Sequence, residues 1–146
     1  MQKHISKLLL IMLATLSLSA CDQSGGGTNA SDYTNPVSIG SAPTTYNGHV
    51  DAYIYGTSAG ESFYYVDIAA GGAYNITLSN FTTDLDLYVF DKPFTDASTS
   101  ELCSSWTSNS VESCSVTAGQ TATLTRLYIY VTNWDATATD HTLAVN

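Results

Sequence analysis

An all-β sandwich of about eight strands is what this sequence predicts, on three observations. Short runs alternate apolar and polar side chains, turn residues punctuate them, and no stretch has a convincing helical period. In chain order, the runs fall at residues 50–55, 62–68, 74–78, 84–90, 100–106, 112–116, 121–132 and 141–145. The first ends at Gly56, the second at Gly71-Gly72, the third near Asn80 and the fourth at Asp91 and Pro93. The fifth and sixth flank a loop rich in Ser, Thr and Asn, the seventh is the longest, and the last closes the chain. A side-chain period of two assigns the faces. Leu85, Leu87 and Val89 share one side, as do Leu127, Ile129 and Val131; Tyr64, Val66 and Ile68; and Tyr74, Ile76 and Leu78. These are the expected core. Asp84, Asp86, Tyr88 and Phe90 then point outward on one strand, and Tyr128, Tyr130 and Thr132 on another.

A targeting segment precedes the strands. Residues 1–7 carry Lys3 and Lys7, residues 8–16 are apolar, and Ser19-Ala20 are small. This is the layout of a secretory signal, and its apolar run is shorter than the ~20 residues that span hydrocarbon. Leu18-Ser19-Ala20-Cys21 looks like a bacterial lipobox, where the signal is cut and the new N-terminal cysteine is acylated. The alternative is a cleaved signal beside an incidental cysteine. Each buried CH₂ contributes ~0.8 kcal/mol, so several acyl chains on Cys21 hold a membrane firmly. Asp22 resembles the inner-membrane retention signal of enterobacterial lipoproteins. The expected address is the bacterial cell envelope outside the cytoplasm, facing the periplasm or at the cell surface. Residues 22–35 are polar and glycine-rich and read as a flexible tether; residues 34–47, with Pro36 and Pro43, read as an extended lead-in. The expected organisation is a signal over 1–20, a lipidated tether and lead-in over 21–47, and one sandwich domain over 48–146.

Charge narrows the partners. Of 4 basic residues, Lys3 and Lys7 leave with the signal, so Lys92 and Arg126 face 13 acids. Such a surface repels phosphate backbones, which excludes nucleic acid as a partner. Anionic headgroups repel it too, so the membrane contact falls to the lipid on Cys21. With Cys21 acylated, Cys103 and Cys114 remain as an even pair in an oxidising compartment, and a disulfide is the natural reading. A metal pair is the alternative, although no histidine stands near them to complete a zinc site.

Two constellations are candidates for ligand chemistry. Asp84 and Asp86 project from one face of a strand, so with Asp91 or Asp67 and backbone carbonyls they are candidate Ca²⁺ ligands. Alternatively, Asp84 caps a turn and Asp86 is solvated or bonded to a neighbouring strand. The outward aromatics Tyr88, Tyr128 and Tyr130, with Trp106 and Trp134 at strand ends, could form a stacking platform for sugar rings or a peptide. Ordinary cross-strand Tyr/Thr pairing is the alternative. Catalysis has little support: His49 and His141 lie near Asp51 and Asp140, but the sequence holds no G-x-S-x-G, no H-E-x-x-H and no P-loop.

The run from Phe63 to Asn146 resembles a known family. Phe63-Tyr64-Tyr65-Val66-Asp67-Ile68 with Ala70-Gly71, then Asp84-Leu85-Asp86-Leu87-Tyr88-Val89, then Ala118-Gly119 leading into Leu127-Tyr128-Ile129-Tyr130-Val131, looks like the bacterial pre-peptidase C-terminal domain. Cys103 and Glu112-Ser113-Cys114 are similar to the cysteine pair of members attached to secreted proteases. The resemblance implies a jelly-roll-like antiparallel sandwich appended to hydrolases. Family members are linked to secretion, to enzyme maturation, or to holding polymers such as collagen or polysaccharide, and some relatives bind Ca²⁺. The sequence departs from that pattern in having no peptidase domain. The expected function is therefore a lipid-anchored, non-catalytic binding module for a protein or polysaccharide polymer. The alternative is an accessory envelope lipoprotein that assists a secreted hydrolase or complex without polymer affinity.

Overall fold

The computed structural model describes residues 30–57 and 59–146. The signal, Cys21 and residues 22–29 of the tether lie outside them. Nine strands form: β1 (Val37–Ser41), β2 (Thr44–Val50), β3 (Glu61–Asp67), β4 (Tyr74–Ser79), β5 (Leu85–Phe90), β6 (Glu101–Ser105), β7 (Glu112–Val116), β8 (Arg126–Asn133) and β9 (Thr139–Val145). They build a five-stranded sheet in the order β1-β3-β8-β5-β6 and a four-stranded sheet in the order β2-β9-β4-β7. Every pairing is antiparallel except β1 with β3. The expected all-β sandwich is what forms.

The core is where the two-residue period puts it. Leu85, Leu87, Val89, Leu127, Ile129 and Val131 from one sheet meet Ile76, Leu78, Leu143 and Val145 from the other, all fully buried. Burying each such side chain stabilises the fold by about 1.5–3 kcal/mol. Tyr64 is also fully buried; its hydroxyl lies 3.2 Å from His141 Nε2. Gly48 on β2 makes room for that pair, since a Cβ there would lie 2.5 Å from His141 Nε2 and 2.7 Å from the Tyr64 hydroxyl. Ile68 and Tyr74, read as core, sit at strand margins and are only partly buried.

Four segments differ from the sequence reading, each for a local reason. Residues 37–50, read mostly as lead-in, form β1 and β2, because β2 pairs with β9 along its whole length, from Thr44↔Val145 to Val50↔Thr139. Residues 51–55, read as strand, are a loop held from outside: Asn133 Nδ2 donates to the Asp51 carbonyl, and Tyr53 N donates to the Asp135 carbonyl. Residues 121–123 are turn and the strand begins only at Arg126; the Thr121 amide bonds back to the Thr117 carbonyl and its hydroxyl binds the Gly72 carbonyl. The polar stretch read as tether is docked from Ala30 onward. Ala30 is buried, its carbonyl accepts the Phe63 amide, and Tyr33 packs edge-on against Phe63.

β6 and β7 are edge strands of different sheets, and a Cys103–Cys114 disulfide joins them across a Cα separation of 5.8 Å. At the opposite edge the chain itself crosses between sheets, from β1 into β2 through Ala42-Pro43.

Candidate functional site at the loop end

β2, β4, β6 and β8 end at one end of the sandwich, where β3, β5, β7 and β9 begin. Residues 51–57, 59–60, 80–84, 106–111 and 134–138 therefore converge there as loops. Two buried polar side chains set their shape. Asn133 is fully buried; its amide donates to the Asp51 and Thr137 carbonyls at 3.0 and 2.8 Å, and its Oδ1 accepts the Asp135 amide at 2.9 Å. Its backbone N–H donates to the Gly60 carbonyl. Gly60 has φ +88°, and a Cβ there would lie 2.8 Å from the Asn133 carbonyl, so both backbone conformation and space demand glycine. Glu112, also fully buried, accepts from the Ser105 hydroxyl and from the Thr107 amide and hydroxyl, which fastens the 106–111 loop. A buried carboxylate is tolerated because its oxygens are hydrogen-bonded.

On this scaffold stand the exposed side chains. Trp134 is 56% exposed, and its indole N–H donates to Asp86 Oδ2 at 2.8 Å. The Tyr88 hydroxyl donates to the same oxygen at 3.3 Å. Burial pushes the Asp86 carboxyl up from its ordinary range; the Trp134 hydrogen bond opposes this, and the negative charge of Asp84 adds to it. Asp84 donates its backbone amide to Asp135 Oδ2 at 3.0 Å. Trp106, 69% exposed, follows the last residue of β6 and lies next in register to Asp86. Between the loops opens a cleft of about 620 Å³ lined by Asp84, Asp135, Thr82, Thr83, Ser108 and Asn109, among others.

The other predicted residues lie elsewhere. Asp91 is at the far end of β5, where its Oδ1 accepts the Ser100 amide. Five residues of extended chain separate it from Asp86, about 16 Å, so one ion cannot bind both. Among the described residues no group of three or more acids, histidines or cysteines is placed to hold a metal. Tyr88, Tyr128 and Tyr130 do face outward on the five-stranded sheet, but much of their aromatic surface is turned on the protein. Tyr130 stacks on Phe63 with centroids 5.0 Å apart and an interplanar angle of 13°. Its hydroxyl donates to Glu61. Phe94, from the β5–β6 loop, stands edge-on to Phe63, Phe90, Tyr128 and Tyr130. The three tyrosines thus belong to a satellite cluster under a loop, and the aromatic side chains left open at this end include Trp106, Tyr55 and Trp134, the last with its ring centroid 5.4 Å from that of Tyr53.

The histidines serve the frame. His49 Nδ1 lies 2.7 Å from Asp140 across the β2–β9 pair, and its Nε2 lies 3.6 Å from Asp51. The Ser62 hydroxyl donates to the His49 carbonyl and not to the ring. The sequence gives Asn133 no role, and names Glu112 only beside the cysteine pair. For Glu112 the signal was available, since parity places it on the same face as Cys114 and Val116.

A family model described as bacterial pre-peptidase C-terminal domain matches residues 60–133, which span β3 through β8. Among solved structures, the chain is similar to the pre-peptidase C-terminal domain of a collagenase from Bacillus anthracis. The TM-score is 0.57 at 15% identity, covering 84% of this chain and 100% of that one. At that identity the likeness speaks to the fold. No curated protein matches the chain.

Proposed function

Because the chain belongs to the bacterial pre-peptidase C-terminal domain family, we propose that it is a binding module, held outside the cytoplasm by lipid on Cys21, that retains a polymer at its loop end. The family is one of non-catalytic domains of peptidases, which accords with a role in binding. The observation that carries the reading is the exposure of Trp134 and Trp106 beside an open cleft on a hydrogen-bonded scaffold. Large aromatic side chains left in water on rigid loops are a recognised mark of a contact surface. The Tyr88/Tyr128/Tyr130 face contributes as the support beneath it, through the Asp86 oxygen shared by Tyr88 and Trp134.

The test is retention of the full chain, purified in neutral detergent, on insoluble collagen and on insoluble polysaccharides. Retention on one of them, weakened about tenfold by Trp134→Ala with an unchanged melting temperature, is the expected result. Unchanged retention in that variant overturns the loop end as the site. A co-purifying envelope protein with no polymer retention favours the accessory reading instead. The anchor has its own test: Cys21→Ser should move the protein from the membrane fraction to the soluble one, and a variant still in the membrane fraction refutes lipid anchoring.

A further inference from the structure

The basic and acidic side chains of the domain are segregated by end. Lys92 follows the far end of β5, where it bonds Ser98, and Arg126 opens β8 at the same end. Arg126 pairs with Asp67 at 2.9 Å and lies 4.0 Å over the Tyr65 ring, so its charge is already used. Asp84, Asp86 and Asp135 stand at the loop end, where the described residues include no lysine or arginine. The eight residues from Asp84 to Lys92 span about 25 Å of extended chain, several times the ~8 Å screening length at physiological salt. The described residues therefore supply no lysine or arginine to this end.

The polar groups there are also incompletely engaged. Both hydrogen bonds to Asp86 fall on Oδ2, and none to its Oδ1 occurs among the described residues. The Asp84 carboxylate makes no ion pair among them. Thr83 lines the cleft, and its buried hydroxyl has no hydrogen-bond partner among the described residues. Beside these stand the exposed Trp134 and Trp106.

We infer that the loop end takes a basic polypeptide segment, whose arginine or lysine heads sit among Asp84, Asp86 and Asp135 and whose stems lie along Trp134. This rests on the binding-module reading and adds the class of ligand. A guanidinium or ammonium near an indole face gains cation–π attraction as well as charge pairing, and arginine also stacks flat on the ring. A neutral sugar would use the indole but leave the carboxylates unneutralised. Nucleic acid and anionic lipid are repelled outright.

The experiment is a fluorescence titration of the full chain in neutral detergent. Both tryptophans of the protein, Trp106 and Trp134, are at this end, so their emission reports the site. The probes are a short arginine–lysine peptide, a glycine–serine peptide of equal length, a soluble cello-oligosaccharide and zwitterionic phosphatidylcholine vesicles. The expected result is a saturable emission change with the basic peptide only. It should weaken about tenfold from low to high salt, and about tenfold in the Asp84→Asn, Asp135→Asn double variant. Asp96→Asn, in the distant β5–β6 loop, should leave it unchanged. Equal loss in Asp96→Asn would mean a response to overall charge and overturns the site. A salt-insensitive change with the oligosaccharide overturns the basic ligand while sparing the binding-module reading, and a change with vesicles alone points to a membrane surface and overturns it too. No change with any probe, together with no retention on polymers, overturns both readings.

Discussion

Mild acid should destabilise this protein through one residue, His141. The imidazole is 2% exposed, enclosed by Tyr64 and by the backbone at Gly48, and its Nδ1 has no hydrogen-bond partner among the described residues. Burial, with a smaller push from His49, lowers its pKa from 6.5 to about 4; Asp140 pulls weakly the other way. The folded protein therefore keeps His141 neutral at pH values where the unfolded chain binds a proton. Stability from this group is fully present above the unfolded value, falls as pH drops from about 6.5, and stops falling below about 4. A gap of roughly 2.5 units corresponds to about 3 kcal/mol. Urea denaturation near pH 7.5 and near pH 4.5 measures the loss. His141→Gln, which can still bond the Tyr64 hydroxyl, should flatten the pH dependence over that window. Asp86 has the opposite sign: its raised carboxyl favours the protonated fold, so its contribution is present at low pH and lost as pH rises. The imidazole carbon-bound proton gives a direct NMR readout in the unaltered protein. A folded-state titration of His141 near its ordinary value would refute the reasoning.

Other expectations follow from the same packing. Gly48→Ala forces a methyl into the His141–Tyr64 pair and should cost about 1–3 kcal/mol in chemical denaturation; an unchanged midpoint would mean that pair can move aside. Replacing Cys103 and Cys114 with alanine removes a short cross-link between sheet edges, worth ~3 kcal/mol on loop-closure grounds, and should lower the melting temperature of the oxidised protein. Glu112→Ala leaves the Thr107 amide and two hydroxyls without their acceptor. It should cost about 2–3 kcal/mol and raise proteolysis in the 106–111 loop; a variant as protease-resistant as the parent would show that the loop is held otherwise. Tyr130→Ala should lower the melting temperature, since its ring stacks on Phe63, whereas Tyr88→Phe removes only a hydroxyl bonded to Asp86 and should leave it nearly unchanged.

The sandwich was legible because its strands repeat a simple parity. Leu85-Asp86-Leu87-Tyr88-Val89 and Leu127-Tyr128-Ile129-Tyr130-Val131 have one buried and one partly buried face, and no other regular structure satisfies that pattern. The 51–55 segment shows where parity misleads. Val50-Asp51-Ala52-Tyr53-Ile54-Tyr55 alternates as well as any strand, yet Asn133, 82 residues on from Asp51, holds it as a loop, and Tyr55 is 91% exposed. Conversely, β1 and β2 have weak local signals and are fixed by the partners they meet, β3 and β9. The loop-end cleft was invisible for the same reason: Asp84 and Asp135 are far apart in sequence and meet because β5 and β8 are neighbours. Aromatic residues were visible as a class, but the sequence could not show that Phe94 folds over the tyrosines and leaves the tryptophans open.

The strand order also sets a timetable for folding. β8 joins β1-β3 to β5-β6 in one sheet, and β9 joins β2 to β4-β7 in the other, so the last two strands made complete both sheets. A chain emerging N-terminus first, lacking everything after residue 125, has three two-stranded pairings and an unpaired β2. Two-stranded ribbons are marginal in water. No sheet wider than two strands can therefore form until β8 or β9 is available. Any truncation that removes β9 should cost not one strand but the whole four-stranded layer.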